Sequence, residues 1–159
     1  MRGILFFLVA LTLPVALAQD LSPTSLKAGD VLPSINLTTL ANGTTSTAQF
    51  KYPALISVFT TWCAVCKKEM PQLNTILRNA KDKKIALTII GIDAGESISK
   101  VAAYHKRQRF DFDLFVDTTF ALVEKLHIKG VPVVLIFDKT GRLTYQGHKI
   151  PEEWQTLIQ

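Results

Sequence analysis

Two cysteines are the residues of this 159-residue chain whose type and spacing most clearly suggest chemistry. Cys63 and Cys66 are its only cysteines, and the two residues between them give the spacing of a redox dithiol. An apolar run over residues 54–59 precedes them, and apolar residues at helical spacing follow. The pair is therefore expected where a buried strand turns into a helix.

A position at the start of a helix would make Cys63 the reactive thiol. Free backbone N–H groups and the positive end of the helix dipole stabilise a thiolate, and Lys67 and Lys68 add positive charge. Cys63 is expected to be the exposed nucleophile, and Cys66 the shielded resolving thiol. The alternative is half of a zinc site, but the chain has no second CxxC and no HxxxH motif to supply further ligands.

Two segments resemble the extracytoplasmic thioredoxin-like proteins of the TlpA/ResA/CcmG type, which include the DsbE-like oxidoreductases. They are WCAVCKKEMP at 62–71 and KGVPVVLIFDKTG at 129–141. The resemblance runs from about Ala28 to the C-terminus. It implies an α/β thioredoxin-like fold, with a mixed central sheet flanked by helices, an N-terminal β-hairpin and a helix–strand insertion.

The same resemblance implies roles for four residues besides the cysteines. Pro132 would be a cis-proline lying against the thiols, and the backbone of Val131 would pair with an extended substrate peptide. Trp62 would shape the surface beside Cys63, and Glu69 would help to move protons at the thiols. The alternatives are a trans turn for Pro132, simple packing for Trp62 and a solvated helix carboxylate for Glu69.

The two residues between the cysteines depart from the family's pattern, and one strand position differs from thioredoxin itself. The dipeptide Ala64-Val65 replaces the proline-containing versions that are common between the two cysteines, which leaves the reduction potential and the direction of electron flow open. Ser57 stands where thioredoxin itself has a buried acid, and serine cannot act as one. Glu69 is then the nearest candidate carboxylate by sequence.

The remaining elements follow from hydrophobic pattern and turn residues. Asn42-Gly43 predicts a hairpin, and Pro71 predicts a kink in the helix after the cysteines. The predicted strands are 31–37, 44–50, 54–60, 85–93, 112–117, 133–137 and 142–147, and the predicted helices follow Cys63, span 97–109 and 118–127, and begin at Pro151. Alternating strands and helices indicate a mixed α/β sheet.

The N-terminus reads as a secretory signal peptide over residues 1–18. A basic start precedes an apolar stretch, and Ala16-Leu17-Ala18 fits a signal peptidase site. An uncleaved anchor is the alternative and would be the chain's only link to a membrane, but the stretch is short of the ~20 residues of a spanning helix. Residues 19–29 are predicted to be a flexible lead-in, and residues 30–159 to be one thioredoxin-like domain.

Charge and composition exclude some partners. The net charge of +5 is mild, and a secreted chain meets little nucleic acid, so no nucleic-acid partner is expected. A disulfide that closes so small a loop stabilises the fold little by chain entropy. This favours a redox role for the cysteine pair over a structural one. We expect no cofactor and no metal, and a monomer, because no segment is dedicated to dimerisation.

The predicted function is that of a periplasmic thiol–disulfide oxidoreductase, acting as a reductase through Cys63 and Cys66. The expected partners are a disulfide-containing protein substrate, as in cytochrome c maturation or envelope redox homeostasis, and a membrane thiol–disulfide electron donor. The alternatives are a disulfide oxidase or isomerase and a Cu(I)-binding chaperone that adds His127 or His148, although such relatives have three residues between their cysteines. A peroxidase is a further alternative, but Ile56 stands where peroxiredoxins have a proline.

Overall fold

The structure, a computed structural model, describes residues 22–159. The predicted signal peptide at 1–18 lies outside the described residues. Among the helices that are described, none combines the length and the apolar character needed to span a bilayer.

Within residues 22–159, seven strands form one mixed sheet in the order β2-β1-β5-β4-β3-β6-β7. Strands β3, β4 and β5 are parallel, whereas β1, β2, β6 and β7 pair antiparallel with their neighbours. The strands are β1 Asn36–Thr39, β2 Thr44–Ser46, β3 Ala54–Phe59, β4 Thr88–Asp93, β5 Asp113–Val116, β6 Val133–Phe137 and β7 Leu143–Gly147. This is the mixed α/β sheet that the sequence predicts.

The three central strands are apolar because both faces of the sheet are covered. Every residue of β3 and β6 is buried, and so are the last five residues of β4. Near-continuous hydrophobic runs of this kind are typical of strands with helices on both sides. The end of β3 is therefore enclosed in the core, and the cysteines follow it directly in the chain.

Four helices cover the sheet in the described part of the chain: α1 Ala64–Asp82, α2 Ile98–Gln108, α3 Ala121–Lys125 and α4 Trp154–Leu157. The first, second and fourth contribute to one apolar cluster, and α3 contributes to the cluster on the other face. Helix α1 buries a stripe that includes Cys66, Met70, Leu73 and Leu77, at the three- and four-residue spacing of one helix face. It runs without interruption through Pro71.

The N-terminal hairpin is present but shorter than predicted. Its turn lies at Asn42-Gly43 as expected, with Thr39 N–H donating to the Gly43 carbonyl. The residues before β1 leave the strand ladder because Thr47 takes their hydrogen bonds. Its hydroxyl donates to the Pro33 carbonyl (2.6 Å) and accepts from Ile35 N–H (2.9 Å).

The described part of the lead-in differs from the flexible segment that we predicted. Leu26 is buried in the apolar cluster beneath α3. Thr24 donates its hydroxyl to the side-chain oxygen of Gln146 on β7 at 2.7 Å, and Ser25 N–H donates to the Leu126 carbonyl at 2.8 Å. These long-range bonds and the buried leucine hold the segment against the domain.

Candidate active site

The two cysteines lie where β3 gives way to α1, and they form a disulfide with their Cα atoms 5.2 Å apart. Cys63 is the N-cap of α1, and its sulfur accepts the Cys66 N–H at 3.1 Å. Cys63 is 8% exposed in the disulfide, so it is buried and not exposed as predicted, and Cys66, at 1%, is more deeply covered. Once reduced, the Cys63 sulfur would carry its charge at the positive end of the helix, while Cys66 remains covered.

A turn from the far side of the sheet faces Cys63. The Val131–Pro132 peptide bond is cis, and the Val131 carbonyl oxygen lies 3.9 Å from the Cys63 sulfur. Pro132 is buried and leads directly into β6, whereas Val131 is half-buried. The antiparallel pairing of β6 with β3 brings this turn to the cysteines, because Val133 lies opposite Val58.

His148, named above only as a ligand in the Cu(I) alternative, lies next to this turn. His148 Nδ1 donates a hydrogen bond to the Pro132 carbonyl at 2.8 Å. The carbonyl can only accept, so Nδ1 carries the proton. No local motif could have revealed the contact, since it depends on the register in which Gly147 of β7 pairs with Val134 of β6.

Glu69 is buried, with 8% of its surface exposed, and lies one turn after Cys66 on α1. Its Oε1 accepts the Ile150 N–H at 2.8 Å, and its Oε2 has no hydrogen-bond partner among the described residues. Burial raises the pKa of this carboxyl above its ordinary value, and the Ile150 N–H opposes that rise. The structure thus places a carboxyl that holds a proton more readily than usual on the helix that carries both thiols.

Ser57, in contrast, offers no such group. It is buried in β3 between Gly91 and Val134, and its hydroxyl has no partner within residues 22–159. A serine hydroxyl does not titrate in the working range of a protein, so Glu69 is the nearer source of a proton among the residues considered for this role.

An open groove of about 430 Å³ runs past Cys63. Trp62 is 70% exposed and Phe120 is 47% exposed, and both line it. The remaining lining residues are Thr60, Cys63, Ala94, Val123, Ile128, Lys129, Gly130 and Val131. Exposed apolar surface beside a reactive group is typical of a binding site, and the predicted residues Trp62 and Val131 both belong to it.

Phe120 was not predicted as part of this site. It precedes α3 in the left-handed conformation (φ 59°), and its ring covers Gly95 of the loop after β4. Gly95 itself has φ +99°, and a Cβ atom there would overlap the ring. The insertion that contains α3 therefore forms one wall of the groove by resting on a residue that has to be glycine.

Within residues 22–159, no group of three or more His, Cys, Asp or Glu side chains is placed to hold a metal ion.

The geometry defines a class: a thioredoxin-fold protein with a CxxC pair at the start of its first helix, facing a proline at the start of an antiparallel strand. Within that class, the chain belongs to the AhpC/TSA family, which matches residues 28–146.

Curated relatives show which kinds of protein within this family the chain resembles. The chain is 27% identical over 101 residues to a thiol-disulfide oxidoreductase ResA of Bacillus cereus, a match that covers 62% of this chain and 57% of the relative. It is 28% identical over 107 residues to the probable thiol:disulfide interchange protein DsbE-2 of Pasteurella multocida, covering 65% and 53%. The chain thus spans a little over half the length of these relatives.

Among solved structures, a putative thiol:disulfide interchange protein DsbE from Chlorobium tepidum superposes with a TM-score of 0.71 at 18% identity. The match covers 84% of this chain and 94% of that one. The thioredoxin-like fold and the resemblance to ResA- and DsbE-type proteins, both predicted from the sequence, are confirmed by these matches.

Proposed function

We propose that this protein is a thiol–disulfide oxidoreductase that reduces disulfides in other proteins outside the cytoplasm. The observation that carries the proposal is the position of the Cys63 sulfur, which caps α1 and borders the groove while Cys66 lies covered behind it. This arrangement suits one attacking thiolate and one resolving thiol.

In the proposed reaction the reduced Cys63 thiolate attacks one sulfur of a substrate disulfide. A mixed disulfide forms, and the other substrate sulfur leaves as a thiolate that takes up a proton. Cys66 then loses its proton and attacks the Cys63 sulfur, which releases the second substrate thiolate. The substrate gains two electrons and two protons, and the protein ends as the Cys63–Cys66 disulfide.

Glu69 is the proposed acceptor of the proton that Cys66 gives up. Its burial keeps its pKa above the ordinary value, so it changes protonation closer to neutral pH than an exposed glutamate does. Its position one turn after Cys66, on the buried stripe of the same helix, supports this assignment.

The groove is the proposed binding site for the substrate chain. Val131 offers its backbone to an extended peptide, and Pro132 fixes the turn beside the thiols. Trp62 and Phe120 offer exposed apolar surface in the same groove as Cys63. A substrate segment with a large apolar side chain near its disulfide fits these walls.

The proposed setting is the periplasm or its equivalent, which the signal-like residues 1–18 support. Oxidised protein would be regenerated there by a membrane thiol–disulfide electron donor. Envelope proteins with disulfides, including those matured for cytochrome c assembly, are the proposed substrates, and the protein is proposed to act as a monomer.

A trapping experiment tests the function. Cys66→Ser should accumulate a mixed disulfide with a disulfide-bonded model protein such as insulin, because the resolving thiol is gone. Cys63→Ser should form none and should lose turnover, whereas the surface variant Glu152→Gln should match the wild type. A Cys63→Ser protein with full exchange activity would overturn the proposal.

The reduction potential of the Cys63–Cys66 couple decides the direction. Equilibration with dithiothreitol should give a value close to that of thioredoxin, about −270 mV, if the protein delivers electrons. A value near that of the strong oxidant DsbA, about −120 mV, would make it an oxidase with the same fold and the same cysteines. Turnover that depends on peroxide, or stoichiometric Cu(I) binding that depends on His148, would replace the proposed reaction altogether.

The groove has its own test. Phe120→Ala should raise the KM for a protein substrate several-fold, since binding loses the contact area of one large side chain. It should leave reduction of a small disulfide such as cystamine unchanged, because that compound does not reach the wall. Equal effects on both substrates would show that Phe120 acts on the cysteines and not on binding.

A further inference from the structure

A carboxylate from outside the CxxC motif accepts hydrogen bonds from the loop that precedes Cys63. Glu96, in the loop between β4 and α2, accepts the Thr61 N–H with one oxygen and the Thr61 hydroxyl with the other (3.0 Å). Thr61 is two residues before Cys63, whose own N–H donates to the Thr60 carbonyl at 3.3 Å. Two charge-assisted bonds therefore fix the backbone just before the nucleophile.

A second carboxyl, fully buried, holds Glu96. Asp93 ends β4, and its Oδ1 accepts the Glu96 N–H at 2.7 Å. Its Oδ2 has no donor among the described residues. A buried ionised carboxylate with one oxygen lacking a donor is costly, and the cost disappears when Asp93 carries a proton that it can donate to Glu96.

We propose that Glu96 positions the loop that carries Cys63, and that protonated Asp93 holds the Glu96 carboxylate in that place, so that reaction at Cys63 depends on this carboxyl pair. The inference rests on the proposed role of Cys63 as the attacking thiol. Glu96 and Asp93 are positioning residues in it, since they act through Thr61 and do not touch the reacting sulfur.

The electrostatics of the pair agree with this geometry. Burial is the main reason why the pKa of Asp93 rises to about 7. The side-chain hydrogen bond to Glu96 and the charge of Glu96 add to the rise, whereas the backbone N–H groups of Glu96 and Gly95 oppose it. Burial alone would raise the pKa of Glu96 too, but the bonds from Thr61 and Asp93 and the charge of Lys100 lower it overall. The first proton taken up by the pair therefore binds to Asp93, and near pH 7 about half of the molecules hold it.

Two charged residues of neighbouring elements act on the pair. The charge of Lys100 on α2 lowers the pKa of Glu96, and Asp117, after β5, donates its backbone N–H to the Asp93 carbonyl at 2.9 Å. The Asp117 carboxyl accepts the backbone N–H groups of Leu122 and Val123 on α3, and the charge of Glu124 raises its pKa. The Cys63 and Cys66 thiols are the other titratable groups of the site once the disulfide is reduced. Replacing Asp93 alone separates its effect from the effects of these groups.

Loss of the Asp93 proton has two effects on Cys63. Glu96 loses a donor and gains a like-charged neighbour, which loosens its hold on Thr61. The added negative charge also disfavours the Cys63 thiolate. Both effects make Cys63 less reactive above pH 7 than its own ionisation would predict.

The test is the rate at which iodoacetamide alkylates Cys63 between pH 5 and pH 9. It uses the reduced protein in a Cys66→Ser background, so that one thiol reacts. The pH dependence of the alkylation rate of the parent protein should be described only by two ionisations, one of them near pH 7. Asp93→Asn keeps a neutral donor for Glu96, so one ionisation should describe its rates. The control Glu152→Gln should behave as the parent.

Glu96→Gln replaces the two acceptor oxygens that face the Thr61 N–H and hydroxyl by one oxygen and one NH2 group, so one of the two bonds is lost. We expect this variant to be alkylated roughly tenfold more slowly at pH 7. Near-ultraviolet circular dichroism of each variant establishes that it is folded. If the parent shows a single ionisation, if folded Asp93→Asn keeps both, or if folded Glu96→Gln reacts at the parental rate, the inference is wrong. Alkylation needs no protein substrate, so a failure of the proposed reductase activity would be seen separately.

Discussion

Replacing Asp93 by asparagine should remove a loss of folding stability that the wild type undergoes as the pH rises from 5 to 8. Asp93 is fully buried, and its pKa rises from 3.8 to about 7, mainly because of burial. The side-chain bond to Glu96 and the charge of Glu96 add to this rise, and the backbone N–H groups of Glu96 and Gly95 oppose it. A carboxyl whose pKa is higher in the folded state binds its proton there more tightly than in the unfolded chain. Folding stability therefore falls as the pH rises from about 4 to about 7, and then levels off.

The size of the effect follows from the width of that interval. Each pH unit in which only the folded state holds the proton costs about 1.36 kcal/mol. Between pH 5 and pH 8 the wild type crosses about two such units, which amounts to about 2 to 3 kcal/mol. Glu96 adds little in this window, because its lowered pKa stabilises the fold fully above the ordinary value of 4.5. Burial also raises the pKa values of Glu69 and Asp117, but those groups are present in both proteins and cancel.

Urea unfolding of the oxidised wild type and of Asp93→Asn at pH 5 and pH 8 measures the difference. The free energy of unfolding of the variant, relative to the wild type, should rise by about 2 to 3 kcal/mol from pH 5 to pH 8. Keeping the disulfide intact removes the thiols from the titration. Two unfolding free energies that run parallel across this range would refute the reasoning, because Asp93 would then titrate alike in the folded and unfolded chains.

Three further outcomes are expected. Glu69→Gln keeps the acceptor for the Ile150 N–H but removes a carboxyl whose pKa is raised by burial, so urea unfolding should show a flatter fall in stability above pH 4.5 than in the wild type. Gly95→Ala should cost about 1 to 3 kcal/mol because of its positive φ, and adding Phe120→Ala should return part of that loss by removing the overlap. Leu73→Ala, in the fully buried stripe of α1, should cost about 2 to 5 kcal/mol in the same unfolding assay and should spare the Cys63 alkylation rate.

The sequence predicts β3, β6 and β7 to within one residue at each end, whereas the predicted β4 begins three residues too early. The prediction for β6, residues 133–137, agrees with the structure at both ends, and the prediction for β3 extends only one residue too far. Continuous apolar runs flanked by turn residues leave little choice of secondary structure once both faces are covered. The position of the CxxC pair is predicted correctly for the same reason, because it depends on where one such strand ends.

The edge of the sheet formed by β1 and β2 is predicted less well because side chains compete there with the strand ladder. The second strand ends at Ser46, where a capping box between Ser46 and Gln49 starts a short 3-10 turn. The predicted strand continues to Phe50, since alternation alone does not register a capping box that ends a strand. The same competition, by the Thr47 hydroxyl, delays the start of β1.

Contacts that link distant parts of the chain could not be predicted at all. Glu96 meets Thr61 across 35 residues, and His148 meets Pro132 across 16. Each is a polar residue in a common local pattern, and its role depends on parallel pairing of β3 with β4 or antiparallel pairing of β6 with β7. Residue type and spacing identify the thiols, but only the sheet register identifies the groups that hold them.

The reactivity of Cys63 depends on groups outside the CxxC motif as well as on the motif itself. The side chains of the two residues inside the motif, Ala64 and Val65, carry no charge. Three other places supply polar groups to the site: Glu69 from the next turn of α1, His148 from the end of β7 and the Asp93–Glu96 pair from the end of β4. Relatives that share the CxxC segment but differ at the end of β4 should therefore differ in the pH dependence of their cysteine chemistry.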